Sequence, residues 1–239
     1  MKDLFHYARV TVALGMPQAS PLFLGSFNYW DCYKFSMKKT FFDDLELVVF
    51  EDVYEPDEDS FLLARHVRPL PGSKVLDMGC GCGIISIVAA LKGAKVLSVD
   101  INKSALRNTE LNAIKHKVKS KIKVLSSDLF GNVNGVFDYI YFNPPYVPRD
   151  ENDEILGRRH PVLSKSWDGG EKGREVIARF IKEVGKYMHE KTRTLMVASS
   201  KNDFQWLISF AGKQGLNCRI IDEKHLFFEA LGLFELRKA

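Results

Sequence analysis

The stretch that decides the fold is KVLDMGCGCG, residues 74–83. Its first half has the short apolar pattern of a buried strand, and its alternating glycines are typical of a tight turn. The segment that follows, IISIVAALKG at residues 84–93, predicts a buried helix that ends at Gly93. A strand, a glycine turn and a helix in direct succession are typical of the first unit of an α/β sheet.

The same alternation continues to the end of the sequence. Further strands are predicted in KVLSVD (95–100), KIKVLSSD (121–128), VFDYIYF (136–142), RTLMVASS (193–200), NCRIID (217–222) and LFFEALGLFELR (226–237). Helices are predicted in NKSALRNTELNAIKHK (102–117), GREVIARFIKEVGKYM (173–188) and DFQWLISFAGKQG (203–215). We therefore expect an α/β fold with a doubly wound, Rossmann-like and mostly parallel sheet. An antiparallel C-terminal strand and helices on both faces complete the expected architecture.

Length and composition are compatible with one sizeable core. The chain has 239 residues, of which 46% are hydrophobic and 27% are charged. We expect residues 47–239 to form one domain and residues 1–46 to form an N-terminal extension of uncertain structure. Residues 1–36 are rich in aromatic side chains and have no clear period. Three interpretations of them stay open: a signal peptide, a poorly structured extension, or an upstream start with Met37 as the natural first residue.

The remaining bulk properties restrict the class of protein. The net charge of +4 is a mild excess that does not by itself imply a nucleic-acid partner. No apolar run reaches the roughly 18 residues that span a bilayer. Four cysteines without a C-x-x-C pair favour a reducing, intracellular compartment, so we expect a cytoplasmic protein.

Three acidic residues follow three successive predicted strands. Asp77 precedes the glycine turn, where a carboxylate would repel a pyrophosphate and suit a cationic ligand such as an ammonium or a sulfonium. Asp100 ends the next strand, from where an acid can accept both hydroxyls of a ribose. Asp128 ends the third and can accept from an adenine amine, while Leu129 packs on the ring. Each acid alone is also explained as a helix N-cap or a turn residue.

Two further patterns suggest metal ligands, but we expect no metal site. Cys80 and Cys82 are interpreted as small residues that fill a tight loop, because no histidine or cysteine cluster lies nearby in the sequence. The segment YEPDEDS, residues 54–60, lacks the glycine and the final glutamate of a calcium loop. We expect a turn there, in which Asp59 or Ser60 caps the helix FLLARHV.

The last motif is FNPPY, residues 142–146, directly after the fourth predicted strand. Two successive prolines fix the backbone and donate no hydrogen bonds, so the corner is rigid and rich in acceptors. The Asn143 side-chain oxygen and the Pro144 carbonyl can each accept one N–H of a planar NH2 group, on which Tyr146 can stack. Such a clamp would aim the nitrogen lone pair at the electrophilic methyl group of S-adenosylmethionine. The alternative is an ordinary proline turn.

The glycine turn, the three acids and the NPPY corner together resemble class I, S-adenosylmethionine-dependent methyltransferases of the HemK type. The segments VYEPDEDSFLL (53–63) and SWDGGEKGREVI (166–177) are more specific for one branch of this family than NPPY is. They are similar to the archaeal and eukaryotic branch, which methylates the glutamine amide in the GGQ loop of class 1 translation termination factors. The resemblance extends from about Asp52 to the C-terminus, whereas NPPY alone is shared with adenine and other amine methyltransferases.

The resemblance implies S-adenosyl-L-methionine as cofactor and a catalytic clamp made by Asn143, Pro144 and Tyr146. It implies cofactor contacts from Ser60, Asp77, Gly79, Gly81, Asp100, Ile101, Asp128, Leu129 and Asn143. The branch usually has Thr where Ser60 stands, and Ser keeps the hydroxyl. The implied partners are a class 1 peptide chain release factor as substrate and a small activator subunit that binds zinc itself.

Two other functions stay open at this point. A nucleic-acid methyltransferase acting on an exocyclic adenine amine would use the basic stretches KHKVKSKIK (115–123) and RRHPVLSK (158–165) to contact phosphates. A solvated helix end and a loop explain the same residues. A binding module that kept the fold without catalysis would bind the cofactor and transfer no methyl group.

Overall fold

The computed structural model describes residues 37–148 and 167–239, and within these ranges the chain forms nine strands and five α-helices. The strands are β1 (Met37–Phe42), β2 (Leu45–Phe50), β3 (Lys74–Met78), β4 (Lys95–Asp100), β5 (Ile122–Ser126), β6 (Phe137–Phe142), β7 (Met188–Ser199), β8 (Leu216–His225) and β9 (Ala230–Lys238). The helices are α1 (Glu58–Arg65), α2 (Ile84–Leu91), α3 (Lys103–Lys115), α4 (Glu175–Val184) and α5 (Phe204–Lys213). The predictions for residues 1–36 and 158–165 lie outside the described residues.

Seven of the described strands form one sheet in the order β5-β4-β3-β6-β7-β9-β8. The five strands from β5 to β7 in this order are parallel, and β9 runs antiparallel to β7 and to β8. The fold class predicted from the sequence is therefore confirmed. Because β4 and β5 lie on one side of β3 while β6 and β7 lie on the other, the strand order reverses beside β3. Sheets of this kind bind ligands in the crevice outside the carboxyl ends of the strands at that point.

Helices cover both faces of the sheet, as expected for an α/β fold. Helices α1, α2 and α3 pack on one face together with the β1–β2 hairpin, and α4 and α5 pack on the other face. Helix α4 shows the pattern clearly, since its buried residues recur every three or four positions. Within the described ranges, every helix is too short or too polar to cross a membrane.

The hairpin of β1 and β2 is not predicted from the sequence. Two buried asparagines of α3 anchor its second strand. The N–H of Val48 donates to Asn112 Oδ1 at 3.0 Å, and the N–H of Phe50 donates to Asn108 Oδ1 at 2.9 Å. Both asparagine side chains donate back to the Val48 carbonyl at 2.8 Å. These bonds stabilise a hairpin that would be marginal alone. The domain boundary expected between residues 46 and 47 falls inside β2, and it stays a prediction.

Candidate active site

A cavity of about 360 Å³ opens beyond the carboxyl ends of β3, β4, β5 and β6. Every site residue predicted from the sequence lines this cavity. These residues are Ser60, Asp77, Gly79, Gly81, Asp100, Ile101, Asp128, Leu129, Asn143, Pro144 and Tyr146. The parallel strands place them there because each residue lies at or just after a strand end, apart from Ser60 on α1. Their individual roles remain predictions.

The glycine turn between β3 and α2 has a backbone that favours glycine. Gly79 and Gly81 have φ angles of 66° and 54°, in the left-handed region. A Cβ atom at Gly79 would lie 3.4 Å from the Phe142 ring, whereas a Cβ atom at Gly81 would meet no atom within 4 Å. The turn is therefore packed at its start and open at its middle, where a ligand can approach the backbone closely.

Asp77 is a buried carboxyl group at the base of the cavity. Its side chain is 2% exposed, and the Ser86 hydroxyl of α2 donates to its Oδ2 at 2.5 Å. Burial raises the pKa of Asp77 to about 7, although the Ser86 hydrogen bond opposes this shift. A cationic ligand would favour the ionised form, because it would supply the opposite charge that the described side chains around Asp77 do not supply.

Asp100 links the end of β4 to the glycine turn. Its Oδ2 accepts the N–H of Gly81 at 3.0 Å, and its Oδ1 accepts the N–H of Asn102 at 2.8 Å. Burial raises its pKa, and these backbone donors oppose the shift. Each carboxylate oxygen accepts two hydrogen bonds, so both oxygens keep capacity for a ligand hydroxyl. Ile101, the next residue, lies half exposed on the cavity wall.

Asp128 forms an ion pair that the sequence did not indicate. Its Oδ2 accepts a hydrogen bond from the Arg179 guanidinium at 2.8 Å, and both side chains are about half exposed. Arg179 lies on α4, lines the same cavity and has no signal in the sequence beyond its place on a polar helix face. The next residue, Leu129, is buried and has a φ angle of 44°. It is the residue predicted to pack on the adenine ring. Any adenine contact of Asp128 would be made beside Arg179.

The NPPY corner presents an unpaired acceptor. Asn143 Nδ2 donates to the Ser60 hydroxyl at 3.2 Å, while Asn143 Oδ1 is buried and has no hydrogen-bond partner in the described part of the chain. Buried side-chain oxygens in folded proteins are nearly always paired, and because Asn143 lines the cavity its free oxygen is available to a ligand donor there. The geometry therefore fits the predicted acceptor for a planar NH2 group.

Tyr146 is held at both ends. Its hydroxyl donates to Asp59 Oδ2 at 3.1 Å, and its backbone carbonyl accepts the Asn202 side-chain amide at 2.7 Å. Asp59 also accepts from the Tyr54 hydroxyl at 3.2 Å. Burial, with the Asp59 charge as the next cause, raises the pKa of Tyr146 above its ordinary value. The ring is thus fixed at the cavity wall rather than free to rotate.

The expected cap of α1 is wrong. Asp57 is the N-cap, because its side chain accepts the N–H of Glu58 at 2.8 Å and its backbone is extended. Asp59 and Ser60 lie inside the first turn instead, two and three residues after the cap. From these positions the side chains reach the NPPY corner, where Asp59 bonds Tyr146 and Ser60 bonds Asn143.

The loop before α4 lies directly against the corner. Val147 donates its N–H to the Trp167 carbonyl at 2.9 Å, and Gly169 donates its N–H back to Val147 at 2.9 Å. Asn202 also donates to the Gly173 carbonyl at 3.1 Å, which joins this loop to Tyr146. The two segments that narrow the resemblance, 53–63 and 166–177, thus both contact NPPY in their described parts.

The described cysteines are free, and no group of three or more His, Cys, Asp or Glu side chains in the described residues is arranged to hold a metal ion. Burial raises the pKa of the Cys82 thiol to about 12 and that of the Cys80 thiol well above its ordinary value. Both thiols therefore stay protonated and pack in the glycine turn.

Comparison with known proteins decides the family. A family model described as the methyltransferase small domain matches residues 49–159. A Methanocaldococcus jannaschii protein, provisionally named a protein N5-glutamine methyltransferase, is 42% identical over 147 residues, which are 61% of this chain and 72% of that protein. The eRF1 methyltransferase catalytic subunit mtq2 of Schizosaccharomyces pombe is 31% identical over 194 residues, which are 72% of this chain and 83% of that protein. The chain belongs to the HemK-type family of protein glutamine methyltransferases.

A solved structure supports the same assignment. The E. cuniculi Mtq2–Trm112 complex, responsible for methylation of the eRF1 translation termination factor, matches this methyltransferase with a TM-score of 0.61 and 26% identity. The match covers 79% of this chain and 99% of the compared chain. The methyltransferases of this family depend on S-adenosylmethionine, which agrees with a cavity lined by acids at successive strand ends.

Proposed function

We propose that this enzyme methylates the side-chain amide of the glutamine in the GGQ motif of a class 1 peptide chain release factor. The observation that most supports the proposal is Asn143 Oδ1, which is buried and unpaired among the described residues. A buried acceptor without a partner costs about 1–3 kcal/mol, which a substrate N–H would recover. The relatives whose names state eRF1 as substrate indicate the class of protein.

The side chains of the cavity fit S-adenosylmethionine. When bound, this cofactor supplies an electrophilic methyl group on a positively charged sulfur. We assign Asp100 to the ribose hydroxyls, Asp77 to the cationic end, and Asp128 with Leu129 to the adenine. The N–H of Gly81 orients the Asp100 carboxylate for this role, and the open middle of the glycine turn leaves room beside it. Ser60, Gly79 and Ile101 complete the proposed wall.

The corner prepares the substrate nitrogen for attack. An amide nitrogen is a poor nucleophile because its lone pair is delocalised. Asn143 Oδ1 accepts one N–H and the Pro144 carbonyl accepts the other, which draws the lone pair out of conjugation and fixes its direction. The Tyr146 ring covers the flat amide group. The proton can leave after the transfer, so no strong general base is required before attack.

A small zinc-binding activator subunit is the proposed partner. The Mtq2 chain of the matched structure is in complex with Trm112. In the described residues, β5 and β8 are the two edges of the seven-stranded sheet, and the turn after β8 exposes Phe227 and Phe228 almost completely. Exposed edges and aromatic side chains are sites where another chain can add a strand or pack. From the proposed release factor substrate we infer a cytoplasmic location.

Nucleic-acid methylation receives less support from the described residues. Three lysines of the basic stretch 115–123 bond within the protein. Lys115 pairs with Glu46 at 2.8 Å, Lys119 pairs with Glu110, and Lys121 donates to the Ala90 carbonyl at 3.1 Å. These contacts occupy charges that phosphate binding would need.

Transfer of a labelled methyl group tests the proposed function. The chain, alone and with an activator subunit, is incubated with labelled S-adenosylmethionine and either a GGQ-containing release factor or an adenine-containing oligonucleotide. We expect label in the release factor, with a higher rate in the presence of the activator. Label in the oligonucleotide alone would show that adenine, and not glutamine, accepts the methyl group. Cofactor binding without transfer to either substrate would favour a binding module.

A further inference from the structure

We propose that Asp59 is a positioning residue that fixes the orientation of the Asn143 amide through the Ser60 hydroxyl. The inference rests on the proposed amide methylation and explains why the clamp presents an acceptor and not a donor. Asp59 touches neither the substrate nitrogen nor the cofactor in this account. It acts through two neighbours, Ser60 and Tyr146, which the structure joins to one carboxylate.

The hydrogen bonds of Asp59 are the basis of the proposal. Asp59 is 5% exposed and lies in the first turn of α1. Its Oδ1 accepts from the Ser60 N–H at 2.5 Å and from the Ser60 hydroxyl at 3.2 Å. Its Oδ2 accepts from the hydroxyls of Tyr146 at 3.1 Å and Tyr54 at 3.2 Å. One buried carboxylate therefore receives four donors from three residues.

The direction of these bonds determines the orientation of the Asn143 amide. A carboxylate only accepts hydrogen bonds, so the single hydroxyl proton of Ser60 is committed to Asp59. The oxygen of that hydroxyl is then left as an acceptor, and it receives the Asn143 Nδ2 group at 3.2 Å. Asn143 Oδ1 consequently faces away from Ser60. This oxygen is the atom that is buried without a partner among the described residues.

Without the carboxylate this orientation would be lost. The two ends of an asparagine amide have nearly the same shape, so only the hydrogen-bond network distinguishes them. If the Ser60 hydroxyl were free to rotate, it could donate to Asn143 Oδ1, and the NH2 end of Asn143 would then face the substrate. A donor at that position repels a glutamine N–H and suits a carboxylate oxygen. Asp59 is therefore inferred to favour glutamine over glutamate.

The test uses the full chain with its activator and four variants. Asp59→Ala removes the acceptor of the Ser60 proton, Ser60→Ala removes the relay, Ser60→Thr restores it, and Tyr54→Phe removes one donor to Asp59 without touching the relay. Each variant is assayed for kcat and KM with a GGQ peptide. S-adenosylhomocysteine affinity and melting temperature are measured separately. A peptide with Glu in place of Gln is used as competitor in the S-adenosylhomocysteine complex.

We expect Asp59→Ala to lower kcat by about ten- to a hundred-fold, in line with the loss of a hydrogen bond to a charged group. We expect the affinity for the Glu peptide, relative to the Gln peptide, to rise by roughly tenfold, a change that a merely structural role would not produce. We expect Ser60→Ala to change kcat and the relative affinity for the Glu peptide in the same direction. We expect both quantities to return toward the wild-type values in Ser60→Thr, and to stay within about threefold of them in Tyr54→Phe.

A folded Asp59→Ala protein with normal kcat and an unchanged affinity for the Glu peptide relative to the Gln peptide would overturn the inference, while the proposed function would stand. If Asp59→Ala does not fold, the two Ser60 variants decide. An unchanged relative affinity in Ser60→Ala overturns the inference, and a rise in the relative affinity for the Glu peptide that Ser60→Thr reverses supports it. A wild-type enzyme that transfers no methyl group to the Gln peptide or its parent protein would instead overturn the proposed function.

Discussion

The carboxylate of Asp100 and the backbone N–H of Gly81 are joined by a hydrogen bond of 3.0 Å. This bond ties the end of β4 to the middle of the glycine turn that follows β3. Two parts of the proposed cofactor site, which lie in different strand–helix units of the sequence, are therefore a single structural unit. The carboxylate reaches the cavity already oriented, so little rotational freedom is lost when a ligand hydroxyl binds.

Replacement of Asp100 tests the ribose assignment. Asp100→Ala removes the acceptor for two hydroxyls, and hydrogen bonds to a charged group contribute about 1.5–3 kcal/mol. We expect the affinity for S-adenosylhomocysteine to fall by about ten- to a hundred-fold in titration calorimetry. Asp100→Asn is the matched control, since it can keep the oxygen that accepts from Gly81, and we expect a smaller loss. Unchanged affinity in a folded Asp100→Ala protein would refute the assignment.

Asp77 makes opposite contributions to stability and to binding. Its folded-state pKa of about 7 lies above the roughly 3.9 of an unfolded chain, so the folded protein holds the proton more tightly. The stability that this proton gives is complete below about pH 4 and is lost as the pH rises toward 7. Asp77→Asn cannot ionise and keeps an oxygen for the Ser86 hydroxyl.

We therefore expect Asp77→Asn to melt at least about 2 °C higher than wild type at pH 8, with a smaller gap at pH 5.5. We also expect its S-adenosylmethionine affinity at pH 8 to be at least about tenfold weaker, because the cationic ligand loses its counter-charge. Melting curves and calorimetry at both pH values provide the measurements. Wild-type affinity in this variant would exclude a role for Asp77 beside a cation.

The role of the first 36 residues can be measured by truncation, because the described structure starts with β1 at Met37. A chain beginning at Met37 keeps the β1–β2 hairpin and its bonds to Asn108 and Asn112. We expect it to fold and to bind cofactor with unchanged affinity. A chain beginning at Leu47 loses β1 and should melt several degrees lower. A large drop already at Met37 would show that residues 1–36 pack on the domain.

The proposed activator subunit predicts a change in solubility. We expect the isolated chain to be less soluble and less active than its complex, because among the described residues β5 and β8 end the sheet without a further strand and the Phe227–Phe228 turn is exposed. Soluble yield and methyl transfer are measured with and without co-expression of a small zinc-binding subunit. A soluble, fully active monomer that gains nothing from a partner would contradict this expectation.

Replacement of Asn143 distinguishes an effect on catalysis from an effect on cofactor binding. Asn143→Ala deletes one acceptor of the clamp, whose contribution is largest when the nitrogen becomes tetrahedral and cationic. We expect kcat to fall by about a hundred-fold or more, while cofactor affinity falls much less. Tyr146→Phe is the control that keeps the ring but loses the bond to Asp59. Near-normal turnover of Asn143→Ala would show that the NPPY corner is an ordinary turn and would contradict its role as a clamp.

Much of this site follows from the sequence because its parts are short and local. The acids Asp77, Asp100 and Asp128 each follow a strand, and parallel strands bring their carboxyl ends together at one edge of the sheet. The β1–β2 hairpin could not be predicted, since its second strand depends on asparagines about 60 residues away in α3. The Arg179–Asp128 pair and the Tyr146–Asp59 hydrogen bond could not be predicted for the same reason, because each joins residues that are distant in the chain.

The shift of the α1 cap from Asp59 or Ser60 to Asp57 shows how sensitive such predictions are. Several acids in succession offer equivalent caps, and only the backbone geometry selects one. With Asp57 as the cap, Asp59 lies in the first turn of α1 and bonds Ser60 and Tyr146 beside the NPPY corner. The network of Asp59, Ser60 and Asn143 is therefore visible only in three dimensions.

The most direct test of the account is to locate the transferred methyl group. A release factor containing GGQ is treated with the enzyme, its activator and S-adenosylmethionine, and its peptides are fragmented in a mass spectrometer. The account predicts one added methyl group on the side chain of the GGQ glutamine, and none when that glutamine is replaced by glutamate. A methyl group on any other residue, or equal methylation of the Gln→Glu protein, would contradict it.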